Sequence, residues 1–288
     1  MLLVGESINV MSKSIGPAMR QREAAPVRKM AEAQAREGAS YLDLNIGPAK
    51  KAGPEMMEWL VKTVQEVVDL PLFLDTTNVE AIEAGLKVHK GKAAINSISC
   101  RPERMDALLP LVKRYDCDFV ALMIGVEGIP RDADERAMLA AGMLARMAEE
   151  EIAPEKALFD PIVLPVTSQQ EQVQGCTGFM SMFADLAPGS RSNCGLSNVS
   201  NGAPEELREI LNATYLAILM KYGIDAAIVN SFEALTCSIG RGDRNDLTSV
   251  VHQVMDGAAV DEAGLSDLQR DVVKTARVLL GESLYSHS

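Results

Sequence analysis

The chain has 288 residues, of which 47% are hydrophobic and 24% charged, and a formal charge of −12 from 28 basic and 40 acidic side chains. That composition supplies a core and is not that of a disordered chain. The acidic balance opposes a nucleic-acid partner, whose phosphates are neutralised by Lys and Arg. No apolar run approaches the roughly 18 residues of a membrane span, and the start MLLVGESINV lacks a secretory pattern. Cys100, Cys117, Cys176, Cys194 and Cys237 are too scattered for a disulfide framework or a structural zinc site. A cytoplasmic protein with reduced thiols is expected.

Eight short apolar runs recur, at 2–8, 41–47, 70–76, 93–99, 119–125, 157–164, 193–199 and 225–231, separated by segments of helical periodicity. The stretch 54–68 opens with Pro54 and places Met57, Leu60, Val61, Val64 and Val68 on one face, and 204–221 repeats the pattern. A last amphipathic helix is expected at 264–280, with Leu265, Leu268, Val272, Val273 and Ala276 along one side. Strands alternating with helices imply parallel strands and right-handed crossovers, and eight repeats close a barrel. The expectation is an α/β chain folded as a single-domain (β/α)8 TIM barrel over residues 1–288, with a doubly wound open sheet as the alternative.

Both folds bind ligands beyond the carboxyl ends of their strands, so the polar residues that end the runs are the ones to inspect. They are Glu6 and Asn9, Asp43 and Asn45, Asp75, Asn96, Asp160, Asn198 and Asn201, and Asn230. Each has a local alternative: Asp75 could cap a helix beginning near Val79, and Asp160 before Pro161 is a common turn pairing. Their joint occurrence on the third, fourth, sixth and seventh runs favours a site. Buried carboxylates and amides need hydrogen-bond partners. A pterin meets that need, offering adjacent N–H donors to a carboxylate and mixed donors and acceptors to an amide.

The segments VGESIN, LDLNIGPA, MEWLVKTVQEV, LDTTNVEAIEAGL, INSIS, GIPRD, DPIVLP and GLSNVSN, in that order from residue 1 to about residue 235, resemble the methyltetrahydrofolate:corrinoid protein methyltransferases. The resemblance implies that Asp75, Asn96 and Asp160 hold the pterin. It further implies that Asn198 stands near the methyl-bearing N5, with Asp160 acting through the same network. Asn201, where the family usually has Gln, is implied as a further pterin contact, and Arg208 reads as a solvated helix face rather than a contact to the folate tail. Methyltetrahydrofolate or tetrahydrofolate would be the substrate, with cobalamin carried by a separate corrinoid protein. A homodimer is implied as well.

No metal is expected on this chain, since His89, His252 and His287 stand far from the cysteines in sequence. The Gln-rich segment 165–178 is expected to be a loop at the barrel mouth, followed by FMSMF at 179–183, which either meets the partner or faces the core. Dihydropteroate synthase, a pterin enzyme of different chemistry, carries Ser-Arg-Lys where this chain has Ser197-Asn198-Val199, and loss of both cations argues against diphosphate chemistry. A non-catalytic folate binder is the other alternative.

Overall fold

Side chains alternate across each apolar run, and the alternation sorts them into two separate clusters. Val4, Phe73, Ala94, Val120, Leu158 and Ala226 form a small apolar plug. Their sequence neighbours Leu3, Leu72, Leu74, Ile95, Phe119, Phe159 and Ala227 belong to the much larger layer shared with the helices. A sheet closed on itself produces this division, with the plug as its lumen.

The computed structural model describes residues 1–49 and 51–286, without the side chain of Glu262. Its strands are β1 (Leu2–Asn9), β2 (Tyr41–Asn45), β3 (Leu72–Asp75), β4 (Ala94–Ser99), β5 (Asp118–Leu122), β6 (Ala157–Asp160), β7 (Arg191–Ser192) and β8 (Ala226–Val229). They stand in the order β7-β6-β5-β4-β3-β2-β1-β8, every neighbour parallel. With helices between the strands, this is the expected (β/α)8 barrel.

The helix Gly53–Gln65 buries Met57, Leu60, Val61 and Val64 on one face, as their spacing predicts. In Glu205–Met220 every residue from Leu211 to Leu219 is buried, because the helices Asn245–Met255 and Asp267–Leu279 cover its outer side. The final helix therefore packs on the barrel's outer helical layer. It begins in a capping box in which Ser266 and Gln269 satisfy one another's backbone N–H groups. No helix among the described residues is long and apolar enough to cross a membrane.

Two local expectations are corrected. Residues 165–178 are not a loop: they open the helix Val166–Leu186, kinked at Gln169. Buried Val166, Val173, Cys176, Met180 and Phe183 recur at intervals of three, four and seven. Gln favours helices, and Gly178 lets this helix approach Ala133, whose Cβ would lie 3.2 Å from an added methyl. Phe179, Met180 and Phe183 of the FMSMF segment consequently face the core.

Nor is 193–199 a strand. β7 ends at Ser192, and Leu196–Ser200 is a 3-10 turn. Leu196 and Val199, three residues apart, are its buried pair, a spacing that suits this turn and not a strand.

The short β7 leaves a seam beside β8. One parallel bridge joins Gly195 to Ile228, with Ile228 N–H donating to the Cys194 carbonyl at 2.8 Å. Lower down, the Asp225 carboxylate does the work of a ladder, accepting from Ser192 N–H at 2.8 Å and from Ser192 Oγ at 3.1 Å. Asp225→Ala would strand the N–H of fully buried Ser192. A loss of roughly 1–3 kcal/mol is expected, read as a lower urea midpoint, with Asp225→Asn losing less.

Candidate functional site in the barrel mouth

Two residues beyond each plug residue the side chain points inward again. On β1, β3, β4 and β6 those positions are Glu6, Asp75, Asn96 and Asp160, and Asp43 and Asn45 follow Tyr41 inward on β2. Register aligns four of these strands at one level, pairing Asn9 with Asn45, Asn45 with Asp75, and Asp75 with Asn96. A ring of carboxylates and amides thus stands directly above an apolar floor.

Among the described residues, none of the four carboxylates in this ring forms a salt bridge; each is held by a neutral donor. Asn45 Nδ2 donates to Asp75. Asn96 Nδ2 donates to Asp43 Oδ1 at 2.9 Å, Ser197 Oγ to Glu6 at 2.7 Å and Asn193 Nδ2 to Asp160 Oδ2 at 3.0 Å. The Asp160 carboxylate also accepts from Ile162 N–H at 2.9 Å. The turn anticipated at Asp160-Pro161 is therefore present together with its inward placement. Asp75 does not cap the next helix; Asn78 does so, accepting from Ala81 N–H at 2.9 Å.

Burial without cations raises these acids. Desolvation pushes Asp75 up to about 7, against the pull of the Asn45 hydrogen bond. Asp43, 3% exposed, is raised well above the usual carboxylate range by burial and by the charge of Asp75. Glu6 is raised by burial as well, and Asp160 is pushed up to about 6 by burial against its hydrogen bonds. At neutral pH the mouth holds neutral acid and carboxylate side by side, a surface that both donates and accepts.

A cavity of about 190 Å³ opens here, walled by Glu6, Asp43, Asn45 and Asp75 on one side and by Gly195, Ser197 and Asn198 on the other. Asn198 stands in the 3-10 turn, not at a strand end, and is exposed at the cavity's lip. Its side chain makes no hydrogen bond among the described residues. Its Nδ2 lies where a Cβ on Gly195 would come within 3.0 Å, so glycine is what lets the amide fold over the cavity. Asn96 and Asp160 are outside the cavity lining: Asn96 backs it through Asp43, and buried Asp160 is bonded to buried Asn193. Asn201 ends the turn, exposed and outside the cavity lining.

Glu6, Asn9, Asp43 and Asn45 are the contributors that the strand-end pattern offers but does not single out. For Glu6, Asp43 and Asn45 the signal is the period of two from Val4 and Tyr41. A larger groove, about 290 Å³, lies on the barrel's flank among Leu207, Ile210, Lys274 and Val278. It lacks the convergent donors and perturbed acids of the mouth, which is therefore the better candidate. Among the described residues, no three His, Cys, Asp or Glu side chains are grouped as metal ligands, and His287 lies outside those residues.

A family model described as pterin binding enzyme matches residues 5–230. The methylcorrinoid:tetrahydrofolate methyltransferase of Eubacterium limosum is 28% identical over 232 residues, covering 80% of this chain and 85% of that protein. The methionine synthase of Mycobacterium tuberculosis is 29% identical over 245 residues, 81% of this chain but 21% of that protein. A dihydropteroate synthase of Xanthomonas albilineans, solved in complex with indole-2-carboxylic acid and 6-chloroguanine, superposes with a TM-score of 0.59 at 18% identity. The superposition covers 88% of this chain and 92% of that one. At that identity the likeness speaks for the fold.

The raised acids make the stability of the ligand-free protein depend on pH. A carboxyl raised to about 7 in the folded chain and ordinary, about 3.9, in the unfolded one stabilises fully below the lower value. That contribution is lost as pH rises through about 7. Asp75→Asn removes the titration, so its thermal midpoint should gain on that of the unaltered protein between about pH 5 and about pH 8. A constant difference in calorimetry across that range would contradict the assignment.

Proposed function

The chain belongs to the pterin binding enzymes, and from that premise we propose that it is a methyltransferase moving the N5-methyl group between methyltetrahydrofolate and the cobalt of a corrinoid held by a separate protein. The observation that carries this reading is the makeup of the cavity wall: carboxylates and carboxamides, with no Lys or Arg among the described lining residues. Such a wall suits the N–H-rich edge of a pterin and gives a diphosphate leaving group nothing to hold it. The first relative described above carries out this exchange by its name. A cavity of about 190 Å³ is below the ~300–1,000 Å³ usual for whole drug-sized ligands, and suits one bicyclic ring with the folate tail outside.

In this reading Asp75, Asn96 and Asp160 anchor the ring, and Asn198 acts at N5. A methyl on a tertiary amine leaves poorly because the departing nitrogen would carry negative charge. An N–H aimed at N5 stabilises that charge as it develops. The free amide of Asn198 at the cavity lip supports this role, and Asp75, with its acidity near neutrality, supports proton exchange with the ring. Cobalt(I), the methyl acceptor on the partner, supplies the nucleophile, and the barrel supplies orientation and electrostatics.

The corrinoid protein would approach over the carboxyl ends of the strands. Met11, Val126, Ile129 and Phe232 follow β1, β5 and β8 there, and all four are exposed. The reading takes residues 1–288 as one cytoplasmic domain that pairs with a second copy. Asn201, exposed beyond the turn, is assigned a contact outside the ring pocket.

Stopped-flow spectroscopy with methyltetrahydrofolate and cob(I)alamin tests the function: the cobalt(I) band should disappear with enzyme present, and its persistence would leave a folate binder. Asn198→Ala should slow single-turnover transfer about 100-fold, as loss of one transition-state donor does, with folate affinity within a few fold. For Asp75→Asn and Asp160→Asn the expectation reverses. Titration calorimetry should show folate binding weakened roughly 10- to 100-fold, the range for a hydrogen bond to a charged group.

A further inference from the structure

Arg136 is the bulkiest of the fully buried side chains, at 0% exposure, and lies outside the barrel wall on the helix Ala133–Glu149. All its hydrogen bonds go to neutral acceptors: Nε to the Pro161 carbonyl at 2.7 Å, Nη1 to the Asp132 carbonyl at 2.9 Å, and Nη2 to Gln172 Oε1 at 2.8 Å. Among the described residues it makes no salt bridge. The packing is built to admit it, since a Cβ on Gly175 would come within 3.0 Å of Nη1. A buried cation without a contacting carboxylate is destabilising by itself, so its placement needs a reason.

The reason lies one residue from Pro161. Asp160 closes its turn by accepting from Ile162 N–H, and Ile162 sits at φ 64°, a left-handed conformation that a β-branched residue rarely adopts. Arg136 grips that turn from behind by the intervening carbonyl. Its charge also reaches Asp160, which otherwise meets only neutral groups: Asn193 and the Gly195 N–H after β7, Cys194, and Cys176 on Val166–Leu186; Tyr215 on Glu205–Met220 faces the arginine itself. Burial holds both thiols and the phenol far up, in their neutral forms. Asp132, at the start of the arginine's own helix, and Glu135, the residue before it, are the other carboxylates that Arg136 feels.

We propose that Arg136 is a positioning residue for the folate site, holding the Asp160 turn by Pro161 and supplying across it the positive charge that no contacting neighbour of Asp160 provides. The inference rests on the reading that Asp160 binds the pterin. It is tested by folate affinity at about pH 8.5 and about pH 5 in Arg136→Gln, Arg136→Lys and Asp160→Asn.

Without the guanidinium, Asp160 should take up its proton at higher pH. Arg136→Gln should then bind within a few fold of the unaltered protein at the higher pH and, for a rise of about one unit at Asp160, about tenfold more weakly at the lower. Arg136→Lys, which keeps the charge, should restore affinity at both. An equal loss at both pH values in Arg136→Gln, or none, overturns the proposal. If Asp160→Asn itself binds normally, the folate-site reading falls first. Should Arg136→Gln be too unstable to titrate, adding Asp160→Asn decides: a recovered thermal midpoint supports the coupling, and an additive loss refutes it.

Discussion

Acids raised onto the inner wall of a closed sheet, with an apolar plug beneath them and no cation beside them, set the terms for everything else in this molecule. Water cannot reach them from below, and among the described residues no arginine or lysine forms a salt bridge with them from the side. Amides and hydroxyls are left to satisfy them, and each acid receives one such donor from another strand, from the residue after β7 or from the 3-10 turn: Asn45 for Asp75, Asn96 for Asp43, Asn193 for Asp160, Ser197 for Glu6. A neutral donor fixes an acid's orientation while leaving lone pairs free and the pKa raised. The ring is thereby organised before any ligand arrives, and what it lacks is further N–H groups.

Much of this was legible in the sequence because barrels obey a simple alternation. Once Phe73 and Ala94 are read as interior, Asp75 and Asn96 must be interior too, and the same step of two identifies Glu6, Asp43 and Asp160. What alternation does not carry is depth. It could not tell that Asp43 would be sealed to 3% exposure against Asn96, or that Asp160 would be bonded to buried Asn193. Depth depends on register between strands distant in sequence.

The errors had a different origin. Residues 165–178 looked irregular because Gln and Gly are polar or permissive. In the fold, Gly175 and Gly178 mark close approach to a neighbouring helix, and one of them makes room for a buried guanidinium. The run at 193–199 was apolar enough for a strand, but Leu196 and Val199 repeat by three. Arg136 gave no signal at all, since a helical arginine in a charged sequence normally reads as solvated, and its burial follows from the tertiary fit of two helices.

The seam between β7 and β8 separates two jobs that most sheets combine. On the other strands, residues that face the cavity also belong to a hydrogen-bonded ladder, so exchanging them risks the architecture. The turn from Leu196 to Ser200 is spared that duty, because Asp225 and the single bridge at Gly195 hold the edges together ahead of it. Its cavity-facing side chains, Ser197 and Asn198, can be replaced while buried Leu196 and Val199 keep the scaffold intact. Innovation in such a barrel is therefore cheapest at this one turn, where ring recognition can be inherited unchanged while the group above the ring is rewritten.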